Sequence, residues 1–419
     1  MTIAAQMRTI AKDAKTASRK LAAAEGSARQ QALLNIAELL GKSANAIFSA
    51  NKKDLDAARK AGLDAAKLDR LTISQGVLDS MIQGCREVAA QSDPVGEIES
   101  MKKRPNGMLV GRMRVPLGVV AMIFESRPNA AVDAAVLCIK SGNAAILRGG
   151  SEAFHSIQAL TKVVHKALEQ AGLPKGCVQV PPTADREAVS ALLKLDEFID
   201  VVIPRGGEGL IRAVVEQASM PVLKHYKGVC HTFVDASADL ARGVTIVHNA
   251  KVQRPGTCNA LECLLVHQSV ARKFLPQVAK KLGAAGVQFR CCKNSLPLMG
   301  PTAKAATKAD WGFEFLNLTL AVKVVADLDE ALAHIAQFGS NHTEVILTES
   351  HANAMRFTRE ADASMVAVNA STRLNDGGEL GLGAEVGIST TKLHAYGPMG
   401  VRELTSAKFV VLGQGQIRE

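Results

Sequence analysis

Over the first 95 or so residues the apolar positions recur every three or four places, as in MTIAAQMRTIAKDAKTASRKLAAAEG and QQALLNIAELLGKSANAIF (30–48), the spacing of amphipathic helices. A polar stretch follows, EIESMKKRPNGMLVGRMRVP (97–116), whose Asn106-Gly107 dipeptide predicts a hairpin or long ribbon. The pattern then turns into short apolar runs alternating with helical segments. LGVVAMIFE (117–125), NAAILRGG (143–150), CVQVPP (177–182) and IDVVIPRGG (199–207) predict strands. Between and after them, NAAVDAAVLCIKSG (129–142), EAFHSIQALTKVVHKALEQAG (152–172), ADREAVSALLKL (184–195) and EGLIRAVVEQA (208–218) predict helices. A second series begins near residue 230 with CHTFVD, a helix over 240–252, ALECLLVH (260–267), a helix across 270–283, LAVKVVADL and DEALAHIAQFG. Alternation at this spacing implies an α/β protein with parallel sheets and helices on both faces, an architecture of the nucleotide-binding type.

Length and composition narrow the class. A chain of 419 residues is too long for one core and predicts two or three domains. The longest apolar run, VPLGVVAMIF (115–124), is too short to span a bilayer, so no membrane partner is expected. The N-terminus has no continuous apolar region of the secretory kind. Its Ala/Thr/Ser richness suits a mitochondrial transit peptide, but the helical spacing favours a folded first helix. Eight cysteines are scattered without a CxxC pair or a Cys/His group at zinc spacing. No metal is therefore expected, Cys291-Cys292 read as free thiols, and a reduced, cytoplasmic protein is predicted. The net charge of +10 suits anionic ligands. Nucleic acid is the rival partner, but the basic residues are diluted and aromatics make up only 4%, which favours small phosphorylated ligands.

Three stretches carry candidate chemistry. ILRGG (146–150) and VVIPRGGEG (201–209) each place Arg-Gly-Gly after a buried strand and before a helix. Glycine lets the backbone approach a ligand, the helix N-terminus favours anions, and Arg148 and Arg205 supply fixed positive forks. Either turn alone could be a tight connection that happens to hold arginine. Two at one sheet edge favour a dinucleotide crevice, although neither matches GxGxxG. In VQRPGTCNALECLL (252–265), Pro255 and Gly256 stop a helix and leave Cys258 on an elbow before a strand. A cysteine is often buried filler. Polar neighbours, loop amides and nearby Arg254 can instead hold this one as a thiolate, since a free thiol has a pKa of roughly 8.5. Cys263, inside the strand, reads as core.

VPLGVVAMIFESRPNAAVD, AAILRGGSEA, IDVVIPRGGEGL, KGVCHTFVD, QRPGTCN and LGLGAEVGISTTKLHAYGPMG resemble the gamma-glutamyl phosphate reductases, a divergent branch of the aldehyde dehydrogenase superfamily. VADLDEALAHIAQFGSNHTEVI (325–346) is similar to the family signature, with Phe338 where His or Tyr is usual. The resemblance runs from near the N-terminus to the end. It implies an aldehyde dehydrogenase-like fold of two Rossmann-like α/β domains with a small β oligomerisation ribbon. The NADP-binding domain would span 1–97 and 114–228, the catalytic domain 229–395, and the ribbon and tail 98–113 and 396–419.

The implied activity is NADPH-dependent reduction of L-glutamyl 5-phosphate to glutamate 5-semialdehyde in proline biosynthesis. A homo-oligomer is expected, and glutamate 5-kinase is a candidate partner for channelling. By the same resemblance, Cys258 matches the nucleophile and Asn129 the amide that donates to the oxyanion alongside the cysteine's backbone N–H. Arg148, Gly149, Ser151 and Glu152 match the adenosine side of the cofactor, with Arg148 placed to pair with a ribose 2′-phosphate. Arg205, Gly206 and Gly207 match the pyrophosphate-facing turn, and Glu314 the glutamate that holds the nicotinamide ribose. Tyr396 stands where the family carries arginine and Gly256 where serine is frequent. His342, in a turn before a strand, reads as structural.

The same-fold alternative, an oxidising aldehyde dehydrogenase, needs a carboxylate base, and MPVLKHYKGVC (220–230), its expected location, has none. A third class, an RNA-binding or scaffolding protein on a defunct fold, is disfavoured by the presence of Cys258 and Asn129.

Overall fold

The computed structural model describes residues 1–418. The chain divides into two compact units, Met1–Lys224 with Gly381–Gly387 and Met399–Glu419, and His225–Leu380 with Ile388–Pro398.

The first unit opens with the helices Ile3–Ala23, Gly26–Lys42, Ala44–Lys60, Ala65–Leu71 and Gln75–Ala90; the four longer ones bury the apolar side of their sequence pattern. The strands β1 (Ile98–Lys103) and β2 (Leu109–Pro116) then form the antiparallel hairpin signalled by Asn106-Gly107. The strand Thr405–Leu412 pairs along the whole of β2, from Thr405 opposite Pro116 to Leu412 opposite Leu109. Ribbon and tail are thus one three-stranded sheet, and Phe409, Val411 and Leu412 lie exposed on it.

The rest of this unit is a parallel sheet of β3 (Val119–Phe124), β4 (Ala144–Arg148), β5 (Val178–Gln179) and β6 (Val201–Arg205), in the order β5-β4-β3-β6. β3 and β4 are buried at every position, which is why they read as unbroken apolar runs. β5 is shorter than CVQVPP suggested, because Pro181 and Pro182 have no N–H to offer a neighbouring strand. The helix expected over 184–195 is regular only over Glu187–Leu192.

The second unit is built on one seven-stranded parallel sheet. Its strands are β7 (Cys230–Val234), β8 (Leu261–His267), β9 (Gln288–Cys291), β10 (Lys304–Ala305), β11 (Thr319–Val325), β12 (Thr343–Leu347) and β13 (Met365–Val368), in the order β10-β9-β11-β8-β7-β12-β13. Phe274, Leu275 and Val278 of the helix Gln268–Ala284 pack with one set of sheet residues, Leu264, Val266 and Val345 among them. Leu328, Ala331 and Ile335 of the helix Leu328–Phe338 pack with the other set, which includes Phe233, Leu265 and Ile346. Alternate residues along each strand therefore serve opposite faces. In this core Lys251 Nζ meets Glu262 Oε2 at 2.6 Å, with both side chains fully buried.

Candidate active site

The helix Leu240–Val252 ends just before Pro255, and Cys258 follows in the turn that leads into β8. The turn is pinned on both sides of the thiol. Thr257 Oγ1 donates to the Arg254 carbonyl at 2.9 Å, and Asn259 Nδ2 donates to the Asn375 carbonyl at 2.9 Å. Gly228 lies flat against the cysteine's peptide. A Cβ there would come within 1.8 Å of the Cys258 carbonyl oxygen, so only glycine fits. Behind the elbow the Cys230 thiol donates to that same carbonyl at 3.1 Å. Burial holds the Cys230 thiol well above the ordinary range, with the charge of Glu344 adding to the effect, so it stays protonated.

Two imidazoles face the half-buried Cys258 thiol. The sulfur and one ring nitrogen each of His225 and His342 all lie within 4.8 Å of one another. His225 Nδ1 is 2.8 Å from the Ile388 carbonyl, which can only accept, so Nδ1 carries a proton and donates to it. His342 is fully buried, with Nδ1 2.7 Å from Thr343 Oγ1. Burial alone would raise the Cys258 pKa. The positive field of His342 and the contacts from both imidazoles outweigh it and hold the thiol well below its usual range. Thiolate character therefore comes from His225 and His342 rather than from the exposed Arg254, and His342 belongs to the site rather than to the scaffold. Arg373 also lies within electrostatic reach of Cys258. Its Nε donates to Gln253 at 2.9 Å and its Nη1 to Asn259 Oδ1.

Iodoacetamide should report this field. Alkylation of Cys258 is expected to stay fast as the pH falls well below the ordinary thiol range of about 8.5 and to decline only below the depressed pKa. His342→Asn should move the inflection up towards the free-thiol value. An inflection already at that value in the parent protein would show that the imidazoles do not act on the sulfur.

Glu314 stands in the same neighbourhood, accepting from the Gly228 N–H at 2.8 Å. Burial and the nearby Cys258 charge push its carboxyl up. A carboxyl group close to the thiol therefore exists, contributed from outside residues 220–230.

The other sequence-predicted residues lie in the first unit. Asn129 opens the helix Asn129–Lys140, and its Nδ2 donates to Asp133 Oδ2 at 3.3 Å. Burial raises Asp133 to about 6 against the opposing charge of Arg205. Arg205 itself pairs with Glu385 at 3.6 Å. The turn after β6 is not an open anion site, because Gly207 N–H donates to Glu125 Oε2 at 3.0 Å. A Cβ on Gly206 would sit 2.5 Å from that same oxygen.

At the end of β4, Leu147, Arg148, Gly149, Phe154, Pro181 and Ala184 line a concave pocket. Arg148 does not present a free fork to it. Its Nη1 donates to the Gly149 carbonyl, and its Nη2 to the carbonyls of Ala184 (2.7 Å) and Asp185 (3.2 Å). Both terminal nitrogens of Arg148 are thus engaged by main-chain carbonyls. Glu152 is likewise occupied, with Oε1 accepting from the Ser126 N–H at 2.8 Å and its hydroxyl at 2.6 Å, while Ser151 is exposed.

A profile of the aldehyde dehydrogenase family matches residues 2–308. A gamma-glutamyl phosphate reductase from Maridesulfovibrio salexigens is 62% identical over 412 residues, covering 98% of each chain. One from Solidesulfovibrio magneticus is 63% identical over 418 residues, covering 100% of each. The chain belongs to the aldehyde dehydrogenase family, in its gamma-glutamyl phosphate reductase branch.

The crystal structure of the Thermotoga maritima gamma-glutamyl phosphate reductase superposes with a TM-score of 0.95 at 43% identity, over 99% of this chain and 100% of that one. An acetylating aldehyde dehydrogenase from Geobacillus thermoglucosidasius, at 17% identity and a TM-score of 0.72, shares the fold. Within this branch, Tyr396 at the expected arginine position donates its hydroxyl to Asp362 at 2.9 Å. Spacing along the chain showed no Cys/His ligand group, yet among the described residues the fold assembles two: His225, Cys258 and His342, and the buried His231, Cys263 and His334. Cys263 is thus core, as read, but it faces two imidazoles. All eight cysteines are free thiols.

Proposed function

We propose that the chain reduces L-glutamyl 5-phosphate to L-glutamate 5-semialdehyde with NADPH, the second step of proline synthesis from glutamate. The observation that carries this reading is the Cys258 thiol, held between two imidazoles in a member of this branch. Cys258 Sγ attacks the acyl carbon. The carbon–oxygen bond to phosphate breaks, inorganic phosphate leaves, and a thioester joins the glutamyl group to the enzyme. When bound, the reduced nicotinamide ring supplies the hydride that the thioester carbon accepts. The resulting thiohemiacetal collapses by expelling Cys258 as thiolate and releasing the aldehyde. His225 and His342 favour that thiolate both at attack and at departure.

The residues present fit a dinucleotide. The pocket after β4, with apolar walls from Leu147, Phe154 and Pro181 and polar main chain at its rim, suits an adenine ring. Arg148 shapes that rim through its carbonyl contacts, together with Gly149 and Glu152. Arg148, on exchanging those carbonyls for the ligand, is the group for a 2′-phosphate, with the exposed Ser151 and Arg186 beside it. Arg205, Gly206 and Gly207 form the pyrophosphate turn once Glu125 gives way, and Glu314 holds the nicotinamide ribose. Asn129 supplies the side-chain donor to the oxyanion. Asn129→Ala should lower kcat by about 10²-fold with a smaller change in KM, because the charge develops only in the transition state. A raised KM at unchanged kcat would make Asn129 a binding residue instead.

The ribbon of β1, β2 and Thr405–Leu412 supports a homo-oligomer, and glutamate 5-kinase is a partner from which a labile acyl phosphate could be channelled. We place the enzyme in the cytoplasm. No helix among the described residues is long and apolar enough to cross a membrane.

Glu314 favours a second reading, an oxidising dehydrogenase in which this carboxyl activates water. Oxidation of pyrroline-5-carboxylate with NADP separates the two. A phosphorylating enzyme needs phosphate or arsenate to release its acyl group, so turnover should depend on the anion. Steady production of glutamate in anion-free buffer would favour the oxidising reading, with Glu314 as its base.

A further inference from the structure

We infer that His225, Cys258 and His342 also form a binding site for a soft divalent cation, zinc above all, whose occupancy reversibly silences the thiol. Thiolate sulfur with two imidazole nitrogens is a ligand set that selects zinc over magnesium or calcium. The three ligand atoms lie within 4.8 Å of one another. Zinc–sulfur and zinc–nitrogen bonds of about 2.3 and 2.0 Å at tetrahedral angles place such atoms about 3.3–3.6 Å apart. Small side-chain rotations close that gap without moving a strand.

Both rings bring a nitrogen close to the sulfur. His225 donates its Nδ1 proton to the Ile388 carbonyl, the kind of outer contact that orients an imidazole in a metal site. His342 is fully buried, and its Nε2 is enclosed without a hydrogen-bond partner. A buried nitrogen left in that state is costly, and a cation satisfies it. Three protein ligands leave the fourth position open to water, the arrangement of an accessible site rather than a sealed structural one.

The chemistry of occupancy is simple. Zinc accepts one electron pair from the sulfur and one from each imidazole. Any proton held by a ring nitrogen that coordinates passes to solvent, and no oxidant or reductant is needed. Zinc and the acyl phosphate then compete for one sulfur lone pair, so the cation blocks acylation and shields the thiol from alkylating agents. A chelator reverses both.

The test is calorimetric titration of the metal-free chain with zinc chloride, without substrate or cofactor. Wild type should show one tight site per chain, weakened at least tenfold in Cys258→Ser, His225→Asn and His342→Asn. Cys263→Ala, which removes the sulfur of the buried group, should leave that site unchanged. Cobalt in place of zinc should give a thiolate-to-metal charge-transfer band that Cys258→Ser lacks. In unmodified protein, zinc should slow iodoacetamide labelling of Cys258, and EDTA should restore it. Equal zinc affinity in wild type and Cys258→Ser, or loss of the tight site in Cys263→Ala alone, would overturn the inference. Because binding is read without substrate, an error in the proposed reaction leaves this result untouched, and an active reductase that binds no zinc sinks this inference only.

Discussion

Cys258→Ala is expected to abolish reduction while leaving dinucleotide binding nearly unchanged. The substitution removes the only atom that can carry the acyl group and leaves the turn around it intact, since Thr257 and Asn259 keep their contacts to Arg254 and Asn375. Deleting a covalent nucleophile costs on the order of 10⁶-fold in kcat when no other group takes over. Cys230 is the nearest alternative sulfur, but it is buried, protonated and bonded to the Cys258 carbonyl, so it cannot substitute. Cys263→Ala is the matching control, expected to cost stability rather than turnover because its side chain packs in the core of the second unit. Cofactor binding by fluorescence and single-turnover reduction would be measured together. A variant at position 258 that retains a substantial fraction of kcat would show that the reaction does not pass through this thiol.

Glu262→Ala is expected to destabilise the protein by about 3–5 kcal/mol, the range for breaking a buried ion pair by removing one partner. Glu262 lies in β8 and Lys251 in the last turn of the helix Leu240–Val252, both fully buried. Burial pushes Glu262 up to about 7, opposed by the adjacent ammonium. Burial likewise lowers Lys251, opposed by the carboxylate. Without Glu262 the ammonium loses its hydrogen-bonded counter-charge and keeps only the weaker field of Glu314, and Leu316 loses the acceptor for its N–H.

The deficit has a pH signature. A lysine whose folded pKa is depressed takes up a proton on unfolding, so the variant's stability rises with pH up to the ordinary lysine value of about 10.4. The double change Lys251→Met/Glu262→Leu should recover most of the loss, since it removes both charges and keeps the volume. Urea denaturation across a pH series measures all three proteins. A loss under about 1 kcal/mol in the single variant, or a double variant no better than the single, would show that the pair is not coupled.

What could be read from the sequence followed from how each element is buried. β3 and residues 261–266 of β8 are buried throughout and so read as apolar runs, apart from Glu262, which a pattern reading passes over because its partner comes from the preceding helix. The strand Thr405–Leu412 is mostly exposed and buries only Thr405 fully, so its pairing with β2 left no trace in the pattern. β13 has three half-buried residues and the exposed Val368, and was equally silent.

Cys258 could be picked out because a helix stop and a strand start are both local signals. His225 and His342 could not, because each becomes informative only where separate segments meet at the sulfur. The histidine of GSNHTEV carries no mark in the chain that separates a thiol partner from a turn residue. Arg148 shows what a motif leaves out: the chain folds the carbonyls of Ala184 and Asp185 onto the guanidinium, contacts that no local spacing announces.

Gly228 carries a consequence for how such a protein can change over generations. Any side chain there would overlap the peptide of Cys258 and displace the sulfur. Most positions in a protein drift through a series of acceptable residues, but this one has no neighbouring state that keeps the nucleophile in place. The history of the catalytic elbow is therefore constrained by a missing methyl group thirty residues upstream as firmly as by the thiol itself.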